Sequence, residues 1–375
     1  MELDIRPVAG KKDLQAFLNL TYTIYKDDPH YVQPLQAQLK EFLDKVKNPF
    51  FNHADTQLWL ARSDGRVVGR IGACVDSYHN DHWNETTGFF GFFECIDDRA
   101  VAHALLDTAR EWIHVRGQTI MRGPLSFTTN HDSPGLLIDG EPGSPVQGMA
   151  YNPSYYPGLL ESYDGLAGAK DLWAWQITTE DVKLPKRVED NAARVLKGET
   201  DLIVRPINKK DFKNEVELIR SLYNRCWHEN WGFIPMDPEE FYFSAKEMKM
   251  LVNENLLLIA EWKGEPVGFS MTVPDFNRAM KRVNGKLFPF GIFKFLADKR
   301  KIDYARTLLL GVLPEHRHKG VDVMMVLRSY KAAVRGGITA GECSWILDSN
   351  RAMNRILEKL GARVYRTYRI YDKTL

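Results

Sequence analysis

The chain has 375 residues, 44% hydrophobic and 26% charged, the balance of a globular protein long enough for two cores rather than one. A formal net charge of +1 excludes the strongly basic balance of a nucleic-acid-binding chain, and no nucleic-acid partner is expected. No apolar stretch reaches the ~18 residues that span a membrane, and MELDIRPVAG lacks the basic region and apolar run of a secretory leader, so the expected location is cytoplasmic.

In chain order, periodicity predicts a helix over residues 13–25, a hairpin over 58–75, a strand over 88–95 and a helix over 98–115. His79, Asn80, Asp81 and His82 read as a hairpin tip, with a metal site as the alternative reading of His-x-x-His. Thr128, Thr129, Asn130, His131 and Asp132 read as a turn, or as a polar pocket. The polar stretch 181–200 reads as a linker with a short helix.

Beyond it, LIVRPI opens as a strand, and 209–227 is helical, with Phe212, Val216, Ile219, Leu222 and Tyr223 on one face. Asp237 is placed to cap a helix that starts at Pro238. LLLIAEWKGEPVGFSMTV is two strands joined at Lys263-Gly264. A buried strand follows over 305–313, then a helix over 321–334 closed by Gly336-Gly337, a strand over 338–347, a helix over 350–360 closed by Gly361, and a final strand. The pattern is α/β, a mixed sheet flanked by helices.

The two halves repeat. Arg6 of IRPVAGKKDL matches Arg205 of VRPINKKDF, Gly65 matches Gly264, and Gly69 matches Gly268, each 199 positions on. The VRG at 115–117 recurs at 334–336, so the second copy carries an insertion of about 20 residues between Gly268 and Val334. Two domains of one architecture are expected, 1–180 and 201–375. The four cysteines, Cys74, Cys95, Cys226 and Cys343, form no close pair and read as small apolar residues; no metal is expected.

The stretch most suited to chemistry is Val312-Leu313-Pro314-Glu315-His316-Arg317-His318-Lys319-Gly320-Val321-Asp322. A strand ends, Pro314 turns the chain out, and a basic loop feeds a helix N-terminus. Unpaired amides and the positive dipole end make such a turn a phosphate site, with Gly320 allowing close approach and Arg317 and Lys319 adding charge; a solvated surface loop is the plain alternative. Arg317 and Gly320 in this context resemble the coenzyme A signature of the GNAT acyltransferase superfamily, Arg/Gln-x-x-Gly-x-Gly/Ala, with Asp322 standing where Gly or Ala is usual. The whole chain is similar to the bacterial YghO-like group of tandem GNAT-like proteins.

That resemblance implies two tandem GNAT-like domains, each a mixed, mostly antiparallel sheet flanked by helices. It implies acetyl-CoA or another acyl-CoA held in the second domain by Gly311, Val312, Leu313, Arg317, His318, Lys319, Gly320, Val321 and Asp322, with Asn350 beside the pantetheine. The implied reaction is N-acylation of a small-molecule primary amine. Glu342, on the second of two splayed strands, is the candidate base, and Glu261 a weaker one. Leu357 stands where the family often has a tyrosine acid, so Tyr365 and Tyr368 are the substitutes, against their plainer reading as core or rim aromatics.

The first copy lacks the signature: Asp97 and Asp98 stand at its helix start, good for capping and poor for phosphate. It reads as a degenerate domain. In the insertion, KLFPFGIFKFLA (286–297) is flanked by Arg278, Lys281, Arg282, Lys299, Arg300 and Lys301. Packing as core between the domains is its expected role, with lipid or acyl-chain contact through 286–301 as the alternative. A coenzyme-binding or sensing protein without catalysis, and an interaction scaffold, are the competing functional readings. A tandem pair can mimic a dimer, so a monomer is as compatible with the sequence as a homodimer.

Overall fold

The computed structural model describes residues 3–183, 186–196, 200–248 and 252–375. The first repeat runs β1 (Leu3–Pro7), α1 (Gly10–Ile24), α2 (Gln36–Phe42), β2 (Ala54–Ser63), β3 (Arg66–Asp76), α3 (Ser77–Trp83), β4 (Thr87–Cys95), α4 (Arg99–His114), β5 (Ile120–Gly123), β6 (Leu136–Gly140), α5 (Tyr156–Glu161) and β7 (Ala167–Thr178). A helix, α6 (Lys186–Leu196), stands in the expected linker. The second repeat runs β8 (Leu202–Pro206), α7 (Phe212–Trp227), α8 (Pro238–Met248), β9 (Leu257–Trp262), β10 (Glu265–Pro274), α9 (Asn277–Met280), α10 (Gly291–Lys299), β11 (Tyr304–Val312), α11 (Val321–Arg335), β12 (Ala340–Leu347), α12 (Arg351–Leu360) and β13 (Arg363–Thr374).

Strand register reproduces the sequence repeat. Arg6 on β1 lies opposite Leu60 and Gly69 on β3 opposite Ala61; Arg205 on β8 lies opposite Ile259 and Gly268 on β10 opposite Ala260. Both hairpins turn through two residues of positive φ, Asp64-Gly65 and Lys263-Gly264, the turn whose twist matches paired strands. Gly69 and Gly268 recur for a packing reason. A Cβ on Gly69 would sit 2.7 Å from Leu105 Cδ1 of α4; on Gly268 it would sit 2.6 Å from Gly311 O and 3.3 Å from Met325 Cε of α11.

The chain forms two compact units that are discontinuous in sequence. Unit 1 takes Met1–Trp173, Asn277–Ala297 and Arg366–Leu375; unit 2 takes Ala174–Phe276 and Asp298–Tyr365. These units do not coincide with the expected division at 181–200: the last strand of each repeat runs from one unit into the other. Unit 1 orders its strands β1-β2-β3-β4-β5 and then β13, where Tyr371 faces Gly123 of β5. Unit 2 orders β7, β12, β11, β10, β9 and β8. In unit 1 Val101, Ala102, Leu105, Leu106, Ala109 and Ile113 of α4 are buried in the core at three- and four-residue spacing. In unit 2 α7 and α11 supply Ile219, Leu222, Cys226, Val321, Met324, Met325 and Leu327 to a core with β9 and β10.

One further expectation is sharpened and one is corrected. His79 to His82 do stand at the tip of a hairpin, between β3 and β4 where Val75 faces Gly88, and there they form α3, which Asp76 caps through the Tyr78 amide. The insertion is not core throughout: Ala279 and Val283 are buried, whereas Phe288, Phe290 and Phe293 are 74%, 73% and 69% exposed. Among the described residues no helix is long and apolar enough to cross a membrane.

Candidate active site

β11 pairs in parallel with β12 only over its first half, from Tyr304 opposite Ala340 to Thr307 opposite Cys343. On its other edge it follows β10 as far as Val312, opposite Gly268, with one irregularity. Met271 faces Leu309 while the next residue, Thr272, faces Thr307, so Leu308 is the extra residue of a bulge. The bulge bends β11, and no described residue of β12 pairs with 308–312. An extended ligand carrying amides can bond to such an edge as an added strand would.

The splayed end of β11 leads into the basic loop. Leu313 N donates to Val267 O, Pro314–His316 form one 3-10 turn, and His318 and Gly320 take left-handed φ of +70° and +78°. Gly320 is the N-cap of α11 and no side chain caps the helix. Met324 N donates back to Gly320 O, while among the described residues no protein group accepts from the amides of Gly320, Val321 and Asp322. These are the orphan donors of a helix start, aimed where an anion binds. A Cβ on Gly320 would meet nothing within 4 Å, so the positive φ rather than crowding selects glycine there.

The side chains divide sharply. Arg317, exposed, is held back against the protein: its Nε donates to Val312 O at 3.3 Å and its Nη2 to Cys226 O at 3.0 Å, so it ties the loop to β11 and α7. Lys319 stays exposed at the loop rim with Nζ 5.3 Å from the Trp262 ring centroid. Asp322 is half-buried and makes no hydrogen bond or ion pair with a described residue, so its carboxylate does not plug the turn. Gly311 makes room for a neighbour, since a Cβ there would meet the Trp227 ring at 2.5 Å. Asn350 caps α12 through the Met353 amide at 3.2 Å.

Glu342 and Tyr365 are brought together. The carboxylate of Glu342, 1% exposed, accepts from the Tyr365 hydroxyl and from the Ser344 hydroxyl, and Ser344 Oγ in turn accepts from Arg306 Nε at 3.0 Å. Arg306 sits opposite Glu342 in the β11–β12 register. Glu342 is therefore sealed in a polar chain at the root of the splay, not free in the cleft. Tyr368 is not part of it: it is fully buried in unit 1, opposite Leu137 of β6, because its strand has passed into the other unit. Glu261 is held by Arg205 at 2.7 Å, which leaves it unsuited to act as a base. Burial raises the thiol pKa of Cys226 to about 12 and of Cys343 to about 11, which keeps both as thiols.

Protein YghO of Escherichia coli K12 is 34% identical to this chain over 377 residues, covering 99% of this chain and 95% of its own. The chain belongs to the YghO-like family of tandem GNAT proteins. A second relative, the bacterial ceramide synthase of Caulobacter vibrioides, is 32% identical over 381 residues, 100% of this chain and 98% of its own. A tandem GNAT protein from the clavulanic acid biosynthesis pathway, solved without AcCoA, shares the fold at a TM-score of 0.58 and 14% identity, covering 100% of this chain and 98% of that one. No family model matches the chain.

The first repeat of this tandem GNAT shows what a filled cleft looks like. β4 and β5 also part early, with Phe89 opposite Arg122 as the last pair, and β4 carries a bulge at Phe92–Phe93. There, however, the chain itself enters the gap: Leu125 N donates to Phe90 O at 2.9 Å, and a Cβ on Gly91 would lie 1.5 Å from Leu125 O. Phe127 then packs against Phe92, Phe50 and Phe42 at 5.0, 5.7 and 5.8 Å between centroids. Asp98 caps α4 through the amides of Ala100 and Val101, occupying the position an anion would take. His131, read from sequence as part of a turn or polar pocket, is packed edge-on to Phe42 and Phe50, and desolvation pushes its pKa down to about 4.

Sequence reasoning missed Ser344, Arg306 and Trp227. Arg306 and Ser344 had a signal: Arg306, like Glu342, is a charge inside an apolar strand pattern, which calls for polar partners such as Ser344. Trp227 had none, because its contact with Gly311 joins a helix end to a strand 84 positions on.

Proposed function

We propose that the chain is an acyl-CoA-dependent N-acyltransferase working through its second repeat, and that its acceptor is a primary amine. The observation that carries this reading is the open edge of β11 from Leu308 to Val312 leading to uncapped amides at α11. The pantetheine arm would lie along that edge, and the pyrophosphate would meet the amides of Gly320, Val321 and Asp322, with Lys319 at the rim. The amine nitrogen attacks the thioester carbonyl, a C–N bond forms, the C–S bond breaks, and one proton passes from the amine to the departing thiolate. A main-chain amide on the splayed part of β11 would hold the oxyanion. Glu342 would take the amine proton through Ser344 or Tyr365, since its own oxygens are enclosed.

The name of one relative narrows the acceptor. A ceramide is the amide of a long-chain amino alcohol, so that name describes N-acylation of a lipid amine. We infer the same class here, with a long acyl chain preferred to acetyl. The test is thiol release from acyl-CoAs of graded length with sphinganine and with short amines. Rapid release with a long-chain acyl-CoA and sphinganine, reduced at least about tenfold in Glu342→Gln, supports the reading. No release with any amine, alongside a melting temperature raised by acyl-CoA, leaves a coenzyme-binding protein without catalysis, the second reading that buried Leu357 favours.

A further inference from the structure

The segment inserted in the second repeat presents an apolar surface to solvent. Phe288, Phe290 and Phe293 are exposed by 74%, 73% and 69%, and Leu296 by 50%. Four large apolar side chains within nine positions form one patch, and soluble surfaces rarely leave such a patch uncovered without a use. α10 is apolar on its inner side as well, with Ile292 and Phe295 half-buried and Gly291 buried, so its outward face is an addition rather than a packing face turned the wrong way.

The charge within the segment that carries the patch, up to Ala297, has one sign. Residues 278–297 contain Arg278, Lys281, Arg282, Lys286 and Lys294 and no acid, in a chain whose net charge is only +1. All five are exposed. The base is fixed to its own unit: Tyr22 donates to Asn284 O at 3.0 Å, Gln36 N to Gly285 O at 3.2 Å, and Asn277 Nδ2 to Pro145 O at 3.0 Å. An anchored root therefore carries an aromatic tip in a segment whose charged residues are all cations.

We propose that this tip docks the protein on an anionic lipid bilayer. The aromatic rings enter the headgroup–acyl boundary and the lysines and arginines meet lipid phosphates. Charge and polarity together favour this occupant: a second copy of the same tip would bring like charges together, whereas exposed aromatic rings flanked by basic side chains match a surface that is apolar beneath a layer of phosphates. The inference does not depend on the acyl-transfer reading, and a vesicle assay needs no catalysis.

Flotation of the full chain with phosphatidylcholine vesicles, with and without phosphatidylglycerol, tests it. The expected result is at least ~tenfold more protein with the anionic vesicles, declining as salt is raised. Phe288→Ser/Phe290→Ser/Phe293→Ser should leave the melting temperature unchanged and abolish flotation; Lys286→Glu/Lys294→Glu should remove the preference for anionic lipid. Wild type remaining in the supernatant overturns the proposal, as does triple-variant flotation equal to wild type. A wild-type dimer that the triple variant loses, without vesicle binding, assigns the patch to self-association and overturns it too.

Discussion

Asp322 is the residue where this second-repeat loop departs furthest from a good anion site. Its carboxylate sits in the first turn of α11, half-buried and without a described partner, next to the amides proposed to hold the pyrophosphate. Like charges at such range repel, and partial burial limits screening. Asp322→Asn keeps the size and removes the charge. Acyl-CoA should bind about two- to tenfold more tightly, most clearly at low salt; an unchanged dissociation constant would mean that the phosphates lie elsewhere. Glu342 makes the complementary case: its acceptor oxygens are already spent on Tyr365 and Ser344. Tyr365→Phe should lower turnover and shift its pH profile if the hydroxyl relays a proton, with acyl-CoA affinity unchanged.

At the scale of elements, the gaps beside the two bulged strands, β4 and β11, have opposite fates. In the first repeat the chain folds back into the gap and brings Phe127 and His131 against Phe42 and Phe50. His131 is held neutral there, its pKa lowered from 6.5 to about 4. Above pH 6.5 folded and unfolded chains are both neutral at this site and stability is full. As pH falls from 6.5 toward 4 the unfolded chain takes a proton that the folded chain resists, and stability drops by about 1–3 kcal/mol. His131→Phe should flatten the fall in melting temperature over that window; an equally steep fall in the variant would refute the assignment.

The same scale explains what could be read in advance. The β11–loop–α11 unit was legible because it is local: an apolar strand, a proline, a basic loop and a glycine are consecutive; the positive φ of Gly320, read from sequence only as room for a ligand, was not. The cap of α12 was not, because Asp348, Ser349 and Asn350 are all good caps and only backbone geometry chooses Asn350. Tyr365 and Tyr368 were equivalent in sequence, and β13 passes between units after the first of them. Strand partners are non-local, so the exchange of final strands left no mark on composition or periodicity.

For the whole molecule, duplication with unequal fates is the organising fact. Register, turns and bulges recur, so each unit has the strand geometry that opens a cleft. In unit 1 Leu125 and Phe127 close it, and Asp98 takes the helix start; in unit 2 the edge and the amides stay open. The proposed function therefore calls for one coenzyme per chain. Isothermal titration with a non-hydrolysable acyl-CoA, on wild type and on Gly320→Val, tests this directly. The account predicts one site per chain in wild type and a loss of at least about tenfold in affinity in the variant, where a branched side chain cannot hold φ of +78° without strain. Two sites per chain, or affinity unchanged by the substitution, would contradict it.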